Sequence, residues 1–291
     1  MKFNKLLKFA AISFASVSIL AACGGSDEEV SSGAATSNDG DVRVVKVAFD
    51  QASKPISYID ESGEAAGYDV EVMRLIDEKL EDYEFEYVGT SNDDLLIGVE
   101  QGKYNVGVKN AFFTEERVGK YIFPKEFAGL SSIGLVLKKE TGETIKTLED
   151  FAKAGLTLAP IAANNAQYTV IAEHNEAFPD NQVKLQAGEE FSVDVVQWVN
   201  EGRVDGGVTI EGQFKGQVLD EGAPYHNLKD EVVYNEFNVI KTWPLFNKKE
   251  QEFADAYDAA MKEIQATDAL RELSKEFYGK DLFEVLDSVN R

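Results

Sequence analysis

From Val42 onward the chain switches repeatedly between a two-residue and a 3.6-residue apolar period, which predicts strands and helices in alternation. Residues 42–49 read as a first strand, followed by a loop over 50–55 in which Pro55 fixes a turn, and by a short strand over 56–59. Gly67-Tyr68-Asp69 opens a helix whose Val72, Leu75, Ile76 and Leu80 share one face. Residues 84–88 form the next strand, and Ser91, with Asp94 three positions on, caps a helix carrying Leu95, Leu96 and Val99 as far as Gly102. The strand period returns in Tyr104, Val106 and Val108. It lapses at Asn110 and Ala111, just before Thr114 caps a short helix. Such alternation implies right-handed crossovers and a parallel sheet.

A second series follows. Residues 131–138 read as a strand, Thr147 with Asp150 caps a helix, and residues 156–160 form a strand that leads through Asn164 and Asn165 into another helix. Strands are expected at 183–185 and 204–210, around a helix over 192–200 with Val195, Val196 and Val199 inward. The series restarts the β/α pattern without residue-level similarity to the first. Two final helices carry clean stripes, Phe253, Tyr257, Ala260, Met261 and Ile264, then Leu270, Leu273 and Phe277, which are core positions.

Ahead of these elements the character changes. Lys2, Lys5 and Lys8 precede an apolar run over 9–20 that is too short to span a bilayer, the pattern of a secretion signal. Leu20-Ala21-Ala22-Cys23 then resembles the lipobox of bacterial lipoproteins, in which cleavage precedes a cysteine that is lipidated; the alternative is an ordinary signal with a stray cysteine. Residues 24–41 hold little to bury and read as a tether of at most about 60 Å when stretched. Cys23 is the single cysteine, so no disulfide forms within the chain, and with only His174 and His226 beside it no metal centre is expected. A formal net charge of −23 sets nucleic acid aside as a partner. About 250 residues remain for folding, enough for two modest cores.

The point at which the strand ending near Asn110 meets the helix after Thr114 is a ligand position, because small molecules bind outside the carboxyl ends of strands in open α/β sheets. On the first helical turn Arg117 can offer a planar fork to a carboxylate. The alternative is a surface arginine paired with Glu115 or Glu116.

Four segments carry a resemblance. Ile56-Ser57-Tyr58 with Gly67-Tyr68-Asp69-Val70-Glu71-Val72, residues 96–109, Thr114-Glu115-Glu116-Arg117 with Tyr121-Ile122-Phe123-Pro124, and Gly202-Arg203-Val204-Asp205 are similar, in this order, to extracellular solute-binding proteins of the polar amino-acid ABC importer family. The resemblance covers nearly all of residues 42–283. It implies an α/β fold, the two-lobe type II clamshell of periplasmic binding proteins, each lobe a mixed, mostly parallel sheet flanked by helices. The implied organisation is a lipoprotein signal peptide at 1–22, a disordered tether at 23–41, lobe 1 from 42–129 plus 237–291, and lobe 2 from 130–236.

Carried over by position, the family's carboxylate clamp falls on Arg117, on the backbone of Asn110 and Phe112, and on the amides that open the helix at Asn164 and Asn165. Phe112 stands where the family often has a hydroxyl residue. The acid that usually pairs with a ligand ammonium falls on Ile210, so either a bulge turns Glu211 inward, or Asp50 or another acid takes over, or the ligand is not an ordinary α-amino acid. Ser53 stands near the family's aromatic position, leaving Trp243 among the substitute rings. The resemblance implies a monomeric, non-enzymatic receptor without cofactor, lipid-anchored outside the cell membrane, that captures an amino acid or related small carboxylate for a membrane permease. A secreted dehydratase-like enzyme on the same fold, or a ligand-sensing lipoprotein without a transporter, remains the alternative.

Overall fold

The computed structural model describes residues 42–163, 165–188 and 194–289, so the expected signal segment, Cys23, the tether and Asn164 lie outside the described residues. The first series forms as its periodicity requires. After β1 (Arg43–Asp50), the short strands β2 (Ala52–Ser53), β3 (Ser57–Ile59) and β4 (Ala65–Ala66) make a small antiparallel sheet. There follow α1 (Tyr68–Asp77), β5 (Tyr83–Thr90), α2 (Asn92–Gln101), β6 (Val106–Ala111) and α3 (Glu115–Lys120). Both β5 and β6 lie parallel to β1, one on each side. Close packing of α2 on β6 depends on Gly107, where a Cβ would come within 2.6 Å of Leu95.

The second series runs through β7 (Gly129–Lys138), α4 (Lys139–Thr144), α5 (Leu148–Lys153), β8 (Ile161–Ala162), α6 (Ala166–Ala177), β9 (Ala187–Gly188), α7 (Val195–Glu201), β10 (Gly206–Ile210) and α8 (Glu211–Phe214). The strands expected at 156–160 and 183–185 are reduced. Leu158 alone bridges to Gly206, next to Pro160, which has no N–H to donate, while the backbone of Val183 bonds both ways to the Asn175 side-chain amide, at 2.8 and 2.9 Å, in place of a neighbouring strand.

β11 (Val232–Phe246) joins the two series into one six-stranded mixed sheet, ordered β10-β7-β11-β6-β1-β5. Its residues up to Thr242 pair antiparallel with β7, and from Trp243 they pair antiparallel with β6. Phe237, near which the chain was expected to return, falls within this strand at the register shift between Glu236 and Asn238. Pro244 sits at a second shift, between Trp243 and Leu245, where the missing donor is tolerated. The chain ends through α9 (Gln251–Gln265), α10 (Ala269–Tyr278) and α11 (Leu282–Val289).

Apolar burial divides along the sheet. Val45, Val47 and Phe49 of β1 pack with the inner faces of α1 and α9, including every residue of the expected Phe253-to-Ile264 stripe. Ile133, Leu135 and Leu137 of β7 belong to a separate cluster with Phe151, Ile171 and Val208. Among the described residues, no helix is long and apolar enough to cross a membrane.

Candidate functional site

At the end of β6 the backbone is bent into an unusual conformation and held there. Asn110 has a φ of 55°, the left-handed region that a non-glycine residue adopts at a cost. Its N–H donates to Asp69 Oδ2 at 2.7 Å and its side-chain amide donates to Ser131 Oγ at 2.6 Å. The clamp expected from the resemblance placed the Asn110 backbone against a ligand; here its N–H is taken by a buried carboxylate from the first turn of α1. Burial pushes the pKa of Asp69 up to about 7, opposed by the Asn110 N–H, which favours the ionised form. In the sequence Asp69 stands only as part of the motif over 67–72, with no mark of a site residue. Its signal was an acid placed between Tyr68 and Val70, in a turn whose three residues are all buried.

Beyond this bend lies a cavity of about 500 Å³, a size suited to a small ligand. Asp50, Lys109, Asn110, Phe112 and Arg117 line it from one side. Thr114 caps α3 by accepting the Arg117 N–H at 3.3 Å, and this sets the arginine on the turn nearest β6. Arg117 Nη1 donates to the Phe112 carbonyl at 2.8 Å, which holds the guanidinium in one orientation. Glu116 bonds to Lys120 at 2.9 Å, and among the described residues no carboxylate lies within 4.0 Å of the Arg117 guanidinium. The expected alternative, an arginine spent on Glu115 or Glu116, is not the arrangement present.

Lys109, which sequence reasoning passed over, also lines the cavity; no ion pair to it is present among the described residues. Burial and the Arg117 charge both lower its pKa, with Asp50 and Asp93 acting in the opposite sense. Asp50 accepts from the Ala52 N–H at 3.1 Å and from the Ser53 hydroxyl at 3.0 Å, so Ser53 positions a carboxylate where an aromatic ring was sought.

The opposite side is supplied by Asn165, Ala166, Gln167, Ile210 and Gln213. Asn165 caps α6, its side-chain oxygen accepting from the Gln167 N–H at 3.0 Å, and its own N–H donates to the Ala162 carbonyl at 2.9 Å. The Asn165 and Gln167 amides, at the helix start expected to face a carboxylate, are engaged within the turn, and Asn164 lies outside the described residues. Ile210 faces the cavity at the end of β10, which pairs with β7 in unbroken register through Ile210. No bulge turns Glu211 inward. Its carboxylate instead meets Lys215 at 2.9 Å and Lys280 at 2.7 Å; burial opposes its ionisation, and the two ammonium groups outweigh that and hold its pKa below the ordinary value.

Trp243 is likewise not part of this cavity. With Phe113, which is 51% exposed, it borders an adjoining hollow of about 1100 Å³ that shares Thr114, Glu116 and Ala166 with the cavity and also takes in Val170, Val239 and Lys241. The rings of Phe113, Phe123 and Trp243 stack edge to face there, at 5.1 to 6.2 Å between centroids.

The model for bacterial extracellular solute-binding proteins, family 3, matches residues 45–280. Among curated proteins, the chain is 26% identical over 275 residues to the L-cystine-binding protein TcyK of Bacillus subtilis strain 168, covering 94% of this chain and 96% of that protein. The L-cystine-binding protein TcyJ of the same organism is 28% identical over 226 residues, covering 78% and 80%. Among solved structures, the probable amino-acid ABC transporter extracellular-binding protein ytmK of Bacillus subtilis aligns with a TM-score of 0.58 at 22% identity, covering 82% of this chain and 99% of that one. The fold is the two-lobe type II clamshell of periplasmic binding proteins.

Proposed function

The chain belongs to the bacterial extracellular solute-binding proteins of family 3, and on that premise we propose that it is the receptor of an ABC importer, capturing an amino acid or related small carboxylate and delivering it to a membrane permease. It acts as a binding protein, like the relatives named for binding L-cystine, and not as an enzyme. The observation that carries this reading is Arg117, a half-buried guanidinium held by the Phe112 carbonyl at a cavity of about 500 Å³ and, among the described residues, in no ion pair with a carboxylate. A ligand carboxylate can meet that fork with two parallel charge-assisted bonds. Asp50 is the acid available to a ligand ammonium, since Ile210 is apolar and Glu211 is held by lysines.

Residues 42–129 with 237–291, and residues 130–236, form the two lobes in this reading and close on the ligand, as their separate apolar clusters suggest. Cys23 carries the lipid that keeps the receptor, as a monomer, at the outer face of the membrane. Mass spectrometry of the molecule released by denaturing natively purified protein, followed by calorimetric titration with that molecule, tests the ligand class. A small carboxylic acid is expected. Release of none, together with no heat from any of the common amino acids, contradicts the receptor reading.

A further inference from the structure

The charges that face the cavity do not balance for a simple zwitterion. Its lining includes Lys109, Arg117 and Lys120 against the carboxylates of Asp50 and Glu116. Lys120 and Glu116 satisfy each other at 2.9 Å, which leaves two cations and one anion. An α-amino acid with a neutral side chain brings one carboxylate for Arg117 and one ammonium for Asp50. Lys109 then stays half-buried beside a second cation, and the acid still acting on it, Asp93, makes no ion pair with it, a costly arrangement once solvent is expelled. Among the described residues, no other acid on the cavity wall relieves it, because Ile210 occupies the facing strand end and Glu211 bonds to Lys215 and Lys280.

We propose that Lys109 is a specificity-determining residue and that the ligand carries a second carboxylate, which Lys109 receives while Arg117 holds the α-carboxylate. This rests on the receptor reading above and narrows its ligand class to amino acids or amino-acid derivatives with two acid groups. The position suits the role. Lys109 is on β6, a strand bonded on both sides by β1 and β11, so its ammonium is presented from a rigid element one residue before the pinned Asn110. Lysine offers a point charge on a flexible stem, which suits a distal carboxylate whose distance from the α-carbon differs between ligands.

Matched ligand pairs that differ in the second carboxylate test the proposal: L-glutamate against L-glutamine, L-aspartate against L-asparagine, and L-cystine against S-methylthio-L-cysteine. Each is titrated calorimetrically into the wild type, Lys109→Met and Lys109→Gln, with thermal unfolding confirming that the variants are folded. In the wild type at least one two-acid ligand binds more than tenfold tighter than its one-acid partner. Both variants reduce that ratio to within about threefold while leaving the one-acid ligand's affinity nearly unchanged. One-acid ligands binding the wild type as well as their partners overturns the inference and leaves the receptor reading standing. So do variants that weaken both members of a pair equally, because Lys109 then serves Asp50 or the shared α-carboxylate. No binding by any member of the three pairs, together with release of no carboxylic acid from native protein, contradicts the receptor reading itself.

Discussion

The two sides of the 500 Å³ cavity treat their polar groups in opposite ways. On the β6–α3 side, Asn110 is fixed by Asp69 and Ser131, and this fixed bend presents Arg117 and Lys109, which among the described residues form no ion pair with a carboxylate. On the α6 and β10 side, Asn165 bonds within its own turn, Ile210 is apolar, and Glu211 is committed to two lysines. A strand-to-helix corner is thus only a geometry. Whether it recognises charge depends on whether its polar groups have already been satisfied by the protein. On the receptor reading proposed above, the first side selects a charged ligand and the second covers it with little electrostatic demand of its own.

Substitution of one residue on each side is the strongest way to break this contrast. Arg117→Ala should cost about 2–5 kcal/mol of binding free energy, since it removes one partner of a desolvated charge pair. Arg117→Lys should recover only part of this, keeping the sign but losing the fork. Glu211→Gln should change affinity by less than about 0.5 kcal/mol. Calorimetric titration with the co-purifying ligand checks all three, and equal losses from Arg117→Ala and Glu211→Gln would remove the one-sided account.

A second effect concerns the support of the bend. The Asp69 carboxyl, with its pKa at about 7 when folded, holds a proton between about pH 4 and pH 7 that the unfolded chain has released. Its contribution to stability is therefore fully present below the unfolded pKa and is lost as pH rises through 7. Asp69→Asn does not titrate and can still accept the Asn110 N–H. Its stability relative to wild type should rise with pH across that window, by up to about 1.4 kcal/mol per unit. Urea unfolding of both proteins near pH 5 and near pH 8 measures this, and parallel pH profiles would show that Asp69 is ionised throughout.

The smallest effect is expected on the second side. Glu211→Gln weakens partly exposed ion pairs with Lys215 and Lys280 and should lower stability by roughly 1 kcal/mol or less. Denaturant unfolding without ligand checks it. A larger loss would mean that the Glu211, Lys280 and Glu236 cluster does more than hold α8 in place.

What was legible in the sequence follows the same division. Helix stripes and caps could be read because both depend on near neighbours: Phe253 to Ile264 are buried, and Ser91, Thr114 and Thr147 cap as their spacing implies. Arg117 was legible through Thr114, which fixes its helical turn. Lys109 and Asp69 were not, since a strand lysine and a first-turn acid look solvated until β1, β11 and α1 enclose them. The 15-residue β11 escaped because its long pairing partner, β7, lies about a hundred residues away and Pro244 interrupts its strand character. The engagement of the Asn110 amide likewise required the tertiary position of Asp69, whereas that of Asn165 with Ala162 is a local turn whose shape the sequence pattern did not reveal.

The central claim, that ligand charge is read from the β6–α3 side, is tested most directly by a crystal structure of the protein with its co-purified ligand. The account predicts a ligand in the 500 Å³ cavity with carboxylate oxygens about 2.7–2.9 Å from two Arg117 nitrogens, and Ile210 against it without a polar contact. A ligand seated instead in the hollow between Phe113 and Trp243, or one that fills the cavity while Arg117 bonds only to the Phe112 carbonyl, would contradict it.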